Sequence, residues 1–429
     1  MVDSSWSDET VAAPPDVLGV GQRILRSRRG RPLRAFQHRT FTLLWSSNVV
    51  GFLGFWISTV TFQWLVARLT DNDALMLGLL YFFMNIPIVV LSPFGGVIAD
   101  RFDRRRVIVV AQYGTAVIAT SLAVAVIAGH ASLPVVFGAA AGVGTMLALN
   151  GPAAQAVVAN IVPRADLPSA VSLNSVGVNL ARVAGPALAA PLLLLGAAPS
   201  YLFYAATSLV VAAVVARVGL PPLPRDRTSG AWRQLKEGLA HARERKPALI
   251  VLAMVAWTAL FASSYVSELA VFAFKVLDRG RTGFIEILAV GGVGAIVGAL
   301  SAGYRETSAR VFGAAVQMVA FAAVLIGLAL SAAYDVFPLV LLFSACCGGV
   351  NFAVMTKLNQ ILHFVVDERR RGRIMSLYVL GWAGCLSLGA VPLGALASAV
   401  GAPTAETSFA LCCLAAGLVI AWHYRRSPV

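Results

Sequence analysis

Twelve predominantly apolar stretches of about 18 to 28 residues follow one another along this chain, separated by polar breaks. A helix rises about 1.5 Å per residue, so each stretch is long enough to cross a hydrocarbon core of roughly 30 Å. They are placed at 41–68, 75–99, 107–129, 133–162, 169–195, 200–217, 248–275, 282–303, 311–332, 335–363, 373–399 and 405–424. With 58% hydrophobic and 13% charged residues, the chain has too little polar surface to cover a soluble globule of its length. An all-α integral membrane protein is predicted, passing many times through a cell membrane.

The charges between the stretches predict how they thread. With alternate connections on opposite faces, 28 of the 34 lysines and arginines fall on the face that holds both termini. Four lie on the other face (Arg68, Lys275, Arg279 and Arg281), and Arg182 and Lys357 lie inside stretches. Basic residues accumulate on the cytoplasmic side, so an even number of spans with both termini cytoplasmic is expected. The same placement accounts for the net charge of +14 without a nucleic-acid partner, because the cations sit at span ends and not on one folded face. Residues 1–40 are polar and then arginine-rich, with no short apolar core of the kind a cleavable signal needs. They are expected to form an unfolded cytoplasmic tail that sets topology or touches membrane lipids through its run from Arg23 to Arg39.

The longest connection, 218–247, separates a six-span half at 41–217 from another at 248–424, and leaves 425–429 as a cytoplasmic C-terminus. Its Trp232, Leu235 and Leu239, at helical spacing among basic residues, predict a short amphipathic helix on the membrane surface, either a plain linker or a regulatory contact. The halves also repeat. Asp100-Arg101 falls opposite Tyr304-Arg305, and Val162-Pro163-Arg164 falls opposite Val366-Asp367-Glu368, both at an offset of 204. A duplicated unit of this kind folds as two pseudo-symmetric six-helix bundles, with the solute path between them.

The break between the second and third stretches is the most specific motif. It reads Gly95-Gly96-Val97-Ile98-Ala99-Asp100-Arg101-Phe102-Asp103-Arg104-Arg105-Arg106. The glycines let two helix ends approach, and Asp100 is placed to meet a neighbouring helix N-terminus or an arginine. This order resembles the loop between spans two and three of major facilitator superfamily transporters. Four further phrases resemble the branch that contains bacterial siderophore (enterobactin-type) exporters and multidrug efflux proteins: Phe41-Thr42-Leu43-Leu44-Trp45, the run Val162 to Ser175, the run Asn179 to Leu188, and Arg371 to Tyr378. The resemblance implies alternating access by two rocking bundles. It also implies a conformational latch built from Gly95, Gly96, Asp100, Arg101, Asp103, Arg104 and Arg105. The second half carries Tyr304 at the aspartate position, which predicts one strong latch and one weak one. Gly177, Gly185 and Pro186 partly match a glycine-proline pattern of proton-driven exporters, and ordinary helix packing explains them equally well.

Polar groups inside the stretches are the candidates for coupling and cargo. Arg182 lies near the middle of the fifth span, where an unpaired cation costs about 3 kcal/mol, so it needs partners or water. It serves either an anionic cargo or a switchable link to an acid, or else a fixed interhelical bridge. Glu268 and Glu286 are poorly solvated candidates for a proton carrier, with a Glu268–Lys275 ion pair as the competing reading for the first. In the resembled superfamily the first, fourth, seventh and tenth spans line the cavity. The corresponding residues here are Asn48, Trp56, Thr59 and Gln63; Asn150 and Gln155; Trp257, Ser264 and Tyr265; and Asn351 and Lys357. Lys357 could equally run its stem to the membrane face. As a set they suit an amphipathic organic solute.

No catalytic constellation, metal spacing or nucleotide-binding glycine loop is present in the sequence, and the five cysteines sit inside apolar runs. A non-enzymatic, cofactor-free and monomeric secondary transporter is expected, exchanging protons for a small-molecule substrate such as a siderophore, drug or secondary metabolite. A lipid or lysolipid flippase on the same fold, and a non-transporting sensor or scaffold, are the alternatives.

Overall fold

Each of the twelve apolar stretches is a helix in a computed structural model of the chain, which describes residues 33–163, 166–218, 239–304, 311–366 and 371–425. The first six spans are Arg39–Leu69, Ala74–Arg101, Arg104–Ile127, Leu133–Asn160, Leu167–Leu194 and Ala198–Arg217. The seventh is broken along Lys246–Val276. The last five are Gly280–Tyr304, Val311–Ala333, Phe337–Val365, Arg371–Val400 and Ala402–Tyr424. The described residues contain no strand.

The repeat seen in the sequence recurs in the helix starts. Leu133 and Ala198 open spans four and six, and Phe337 and Ala402 open spans ten and twelve, each pair 204 apart (337 − 133, 402 − 198). Packing follows the same symmetry. The bundles meet where the second span packs on the eleventh and the fifth packs on the eighth, and these two pairs exchange when the halves are interchanged. Because lipid chains are as apolar as leucine, association of the spans relies on close approach of small residues. At Gly78 and Gly394 the second and eleventh spans come so near that an added Cβ would run into the backbone carbonyls of Ala390 and Ala74.

The break at 95–106 is shorter than the charge pattern predicts. The second span continues as helix through Gly95, Gly96, Asp100 and Arg101, and the third begins at Arg104. Asp103 caps that third helix, its side chain accepting a hydrogen bond from the Arg105 backbone N–H at 2.9 Å. The side chains of residues 92–101, which hold most of the expected latch, lie outside the described residues, as do Trp232 and Leu235 of the expected linker helix.

The expected unfolded tail is folded at its end. Arg34–Gln37 form a 3-10 helix that docks on the start of the fifth span. Arg34 Nε and His38 Nε2 reach the two carboxylate oxygens of Asp166 at 3.3 and 2.9 Å, and the Ala35 N–H donates to Ser169 Oγ. Phe36 packs edge-on against Trp45, whose indole N–H donates to the Leu173 carbonyl at 2.8 Å.

Candidate solute site between the bundles

Both halves contribute to one enclosed cavity of about 80 Å³. Trp56, Thr59 and Gln63 reach it from the first span, Tyr81 from the second, and Arg182 and Pro186 from the fifth. The second bundle supplies Tyr265 and Leu269 from the seventh span, Gly291 from the eighth and Ser344 from the tenth.

Arg182 is the organising group. Its guanidinium carbon lies 5.2 Å from the Trp56 ring centroid and 4.5 Å from that of Phe352 in the tenth span, so aromatic faces from both bundles hold the cation. A desolvated cation–π contact is worth up to about 2 kcal/mol, so two of them offset an insertion cost of about 3 kcal/mol. No carboxylate pairs with Arg182 among the described residues, and the fixed interhelical salt bridge allowed by the sequence is not formed. The phenols of Tyr81 and Tyr265 lie within range of its charge. Since ring faces leave the N–H edges of a guanidinium free, this cation is positioned to bind an anionic group.

Gln63 is buried, and its amide oxygen has no hydrogen-bond partner. Thr59 lines the cavity too, although its hydroxyl is spent on the Phe55 carbonyl one turn back. Gly177 and Gly185 let the fifth span lie against the first, since a Cβ at either would press on Val49 or Trp56. Pro186 stands inside the fifth helix and lines the cavity.

The seventh span breaks where it passes the cavity. Regular α-helix ends at Phe261, a 3-10 segment runs over Ser263–Ser267, and a short α turn and a π turn complete the crossing. Ser264 donates to the Leu260 carbonyl and Ser267 to that of Ser264, both at 2.8 Å, so serine hydroxyls satisfy backbone acceptors in the break. Ser263 Oγ donates to Asn351 Oδ1 at 3.0 Å in a buried contact that ties the break to the tenth span and occupies the asparagine.

Several expected cavity residues sit elsewhere. Trp257 is 42% exposed and donates to the Cys412 carbonyl, placing it on the outer flank between the seventh and twelfth spans. Asn48 and Asn150 line a separate pocket of about 40 Å³ inside the first bundle, together with Gln112 and Tyr204. Lys357 projects toward Gly313 in the ninth span, away from the cavity. Gln155's side chain lies outside the described residues. Glu286 is exposed and does not have the buried setting expected of it. Glu268 does: it is fully buried at the end of the 3-10 segment, with neither carboxylate oxygen hydrogen-bonded. It makes no ion pair with Lys275.

A second buried acid was not singled out from the sequence. Glu406, in the first turns of the twelfth span, is also fully buried, and neither of its carboxylate oxygens has a hydrogen-bond partner. The sequence places that span's start at 405, so Glu406 reads as a span-end acid facing water.

Comparison with known proteins gives a family model described as "Transmembrane secretion effector", of the major facilitator type, which matches residues 31–427. The staphyloferrin A transporter of Staphylococcus aureus is 29% identical over 158 residues, or 36% of this chain and 39% of that protein. The uncharacterized MFS-type transporter YfiS of Bacillus subtilis is 27% identical over 241 residues, covering 54% of this chain and 55% of that one. These matches thus span about two fifths and just over half of the two relatives. Among solved structures, the nucleoside transporter NupG superposes with a TM-score of 0.70 at 13% identity, covering 90% of this chain and 99% of its own. A bacterial homologue of the lysosomal transporter Spinster, inward-facing and unoccupied, superposes with a TM-score of 0.67 at 14% identity, covering 90% and 96%. At these identities the structures speak to the fold alone.

Proposed function

This chain belongs to the major facilitator superfamily of membrane transporters, which are not enzymes, and from that premise we propose that it exports an amphipathic organic solute with an anionic group, of siderophore or drug type, in exchange for protons. The observation that carries this reading is Arg182, held by Trp56 and Phe352 from opposite bundles and edging the one cavity to which both bundles contribute among those described above. A cation there gives the anionic part of a cargo a partner, and the rings around it suit the apolar part. Outward movement is supported by the family description and a siderophore cargo by one relative's name, while Glu268 serves as the coupling acid in this reading.

At about 80 Å³ the cavity is well below the roughly 300–1,000 Å³ of a small-molecule site. Cargo therefore enters only when the bundles part. The test is flux in proteoliposomes under an imposed pH gradient, with ferric and iron-free siderophores, anionic lipophilic dyes and fluorescent lysolipid presented from either side. Proton movement that depends on a siderophore or dye and is lost in Glu268→Gln is the expected result. Cargo movement without proton flux would sink the antiport mechanism, and movement of lysolipid alone would replace export of a soluble solute with lipid flipping.

A further inference from the structure

We propose that Glu406 joins Glu268 in a two-carboxylate proton-binding site of the second bundle, apart from the solute cavity. The inference rests on the proton-coupled reading above and names the site that coupling would use.

Three observations converge on it. Glu268 and Glu406 come from different spans, are each 0% exposed, and have all four carboxylate oxygens without a hydrogen-bond partner. The two are near enough for the charge of Glu268 to act on Glu406. Neither lines the cavity, yet Tyr265 does, and its phenol lies within range of both Glu406 and Arg182. Other groups face the pair from the surrounding elements. Asp73, in the connection between the first two spans, acts on Glu268, and the Cys347 thiol of the tenth span lies near Glu406. Nothing in this set is a cation paired with either acid.

A carboxylate without partners in an apolar interior is strongly disfavoured, and a second one beside it, with Asp73 beyond, adds repulsion. Protons remove both penalties. In this closed arrangement the two acids therefore hold protons, and they titrate as a coupled pair and not as independent groups. The break at Ser263–Ser267 places Glu268 at a point where the seventh span has few regular hydrogen bonds to lose, so a modest local movement can admit water and let the protons leave. Tyr265 is then within range of both the proton site and the cation of the cargo site, and an anion arriving at Arg182 changes the field that the acids experience.

The test is infrared difference spectroscopy of the full-length protein in liposomes, following the carbonyl-stretch band of protonated carboxylic acids and its shift in heavy water as pH is raised. No cargo and no gradient are needed. The unmodified protein should show two components. Glu406→Gln should remove one and move the titration of the other, Glu268→Gln should remove the other, and Glu406→Asp should keep both with altered positions, which excludes misfolding as the cause of loss. An unchanged band in Glu406→Gln, or a remaining component that titrates as before, would overturn the pairing. Replacing choline chloride with sodium chloride at constant ionic strength should leave the band intact; loss of the band with sodium would overturn the proton assignment. If proton-coupled flux fails while the two-component band is present, the export reading falls and the site stands.

Discussion

An arginine held between two ring faces makes a demand that a lysine cannot meet. The guanidinium is planar and weakly hydrated, so it stacks on Trp56 and Phe352 while its N–H edge stays available; an ammonium is compact, strongly hydrated and without a face to stack. Arg182→Lys is therefore expected to keep the charge and still lose cargo transport by at least about tenfold, the equivalent of one cation–π contact of roughly 1.4 kcal/mol. Initial rates in proteoliposomes, corrected for the amount of folded protein, decide it. Near-normal transport in the lysine variant would show that charge alone matters. The cation was legible in the sequence because any arginine in mid-membrane needs an explanation, but its ring partners were not. Trp56 and Phe352 come from spans far apart in the chain, and no local spacing links either to residue 182. Glu268 was legible for the same reason as the arginine. Glu406 was hidden by its place in the first turns of a helix, where an acid normally reaches water.

At the scale of single elements, caps and breaks decide what each span does. Asp166 holds the Arg34 guanidinium and the His38 ring, at and just after the 3-10 helix that precedes the first span, clasping the end of the tail to the start of the fifth. Asp166→Ala leaves Arg34 and His38 without that partner, and hydrogen exchange at residues 34–38 should speed up several-fold while the spans keep their protection. Equal acceleration in the first span would mean that the clasp stabilises the whole bundle. Asp103→Ala removes the cap of the third helix and should cost about 1 kcal/mol, seen as a lower thermal midpoint in detergent. The seventh span shows why some cavity assignments failed. In an unbroken α-helix, Trp257 and Tyr265 are eight residues apart and point only about 80° from one another. The 3-10 segment after Ala262 changes the rotation per residue, so Tyr265 turns into the cavity while Trp257 stays on the outer flank. Three serines with no proline or glycine gave no strong warning of that break.

For the molecule as a whole, the hydrogen bonds that join the bundles among the described residues lie on the face opposite the termini. Ser398 Oγ at the end of the eleventh span donates to Asp73 Oδ1 at 2.9 Å, and Arg281 Nη1 at the start of the eighth donates to the Leu193 carbonyl at 2.8 Å. With Gly78 and Gly394 allowing backbone contact between the second and eleventh spans nearby, that face is shut. Alternating access requires these ties to break in each cycle, because a solute held at Arg182 has to leave by whichever face is opening. A link made across Asp73 and Ser398 should therefore stop transport. In a background with the five native cysteines replaced, Asp73→Cys with Ser398→Cys, joined by a short thiol-reactive crosslinker with a reducible bridge, is expected to abolish flux and to recover it on reduction. While linked, a cysteine at Thr59 should react with a membrane-impermeant thiol reagent offered from the termini face and be protected from the other. Transport that survives the link would mean that solute passes without opening this face, and the rocking of two bundles inferred from the repeat would not describe the cycle.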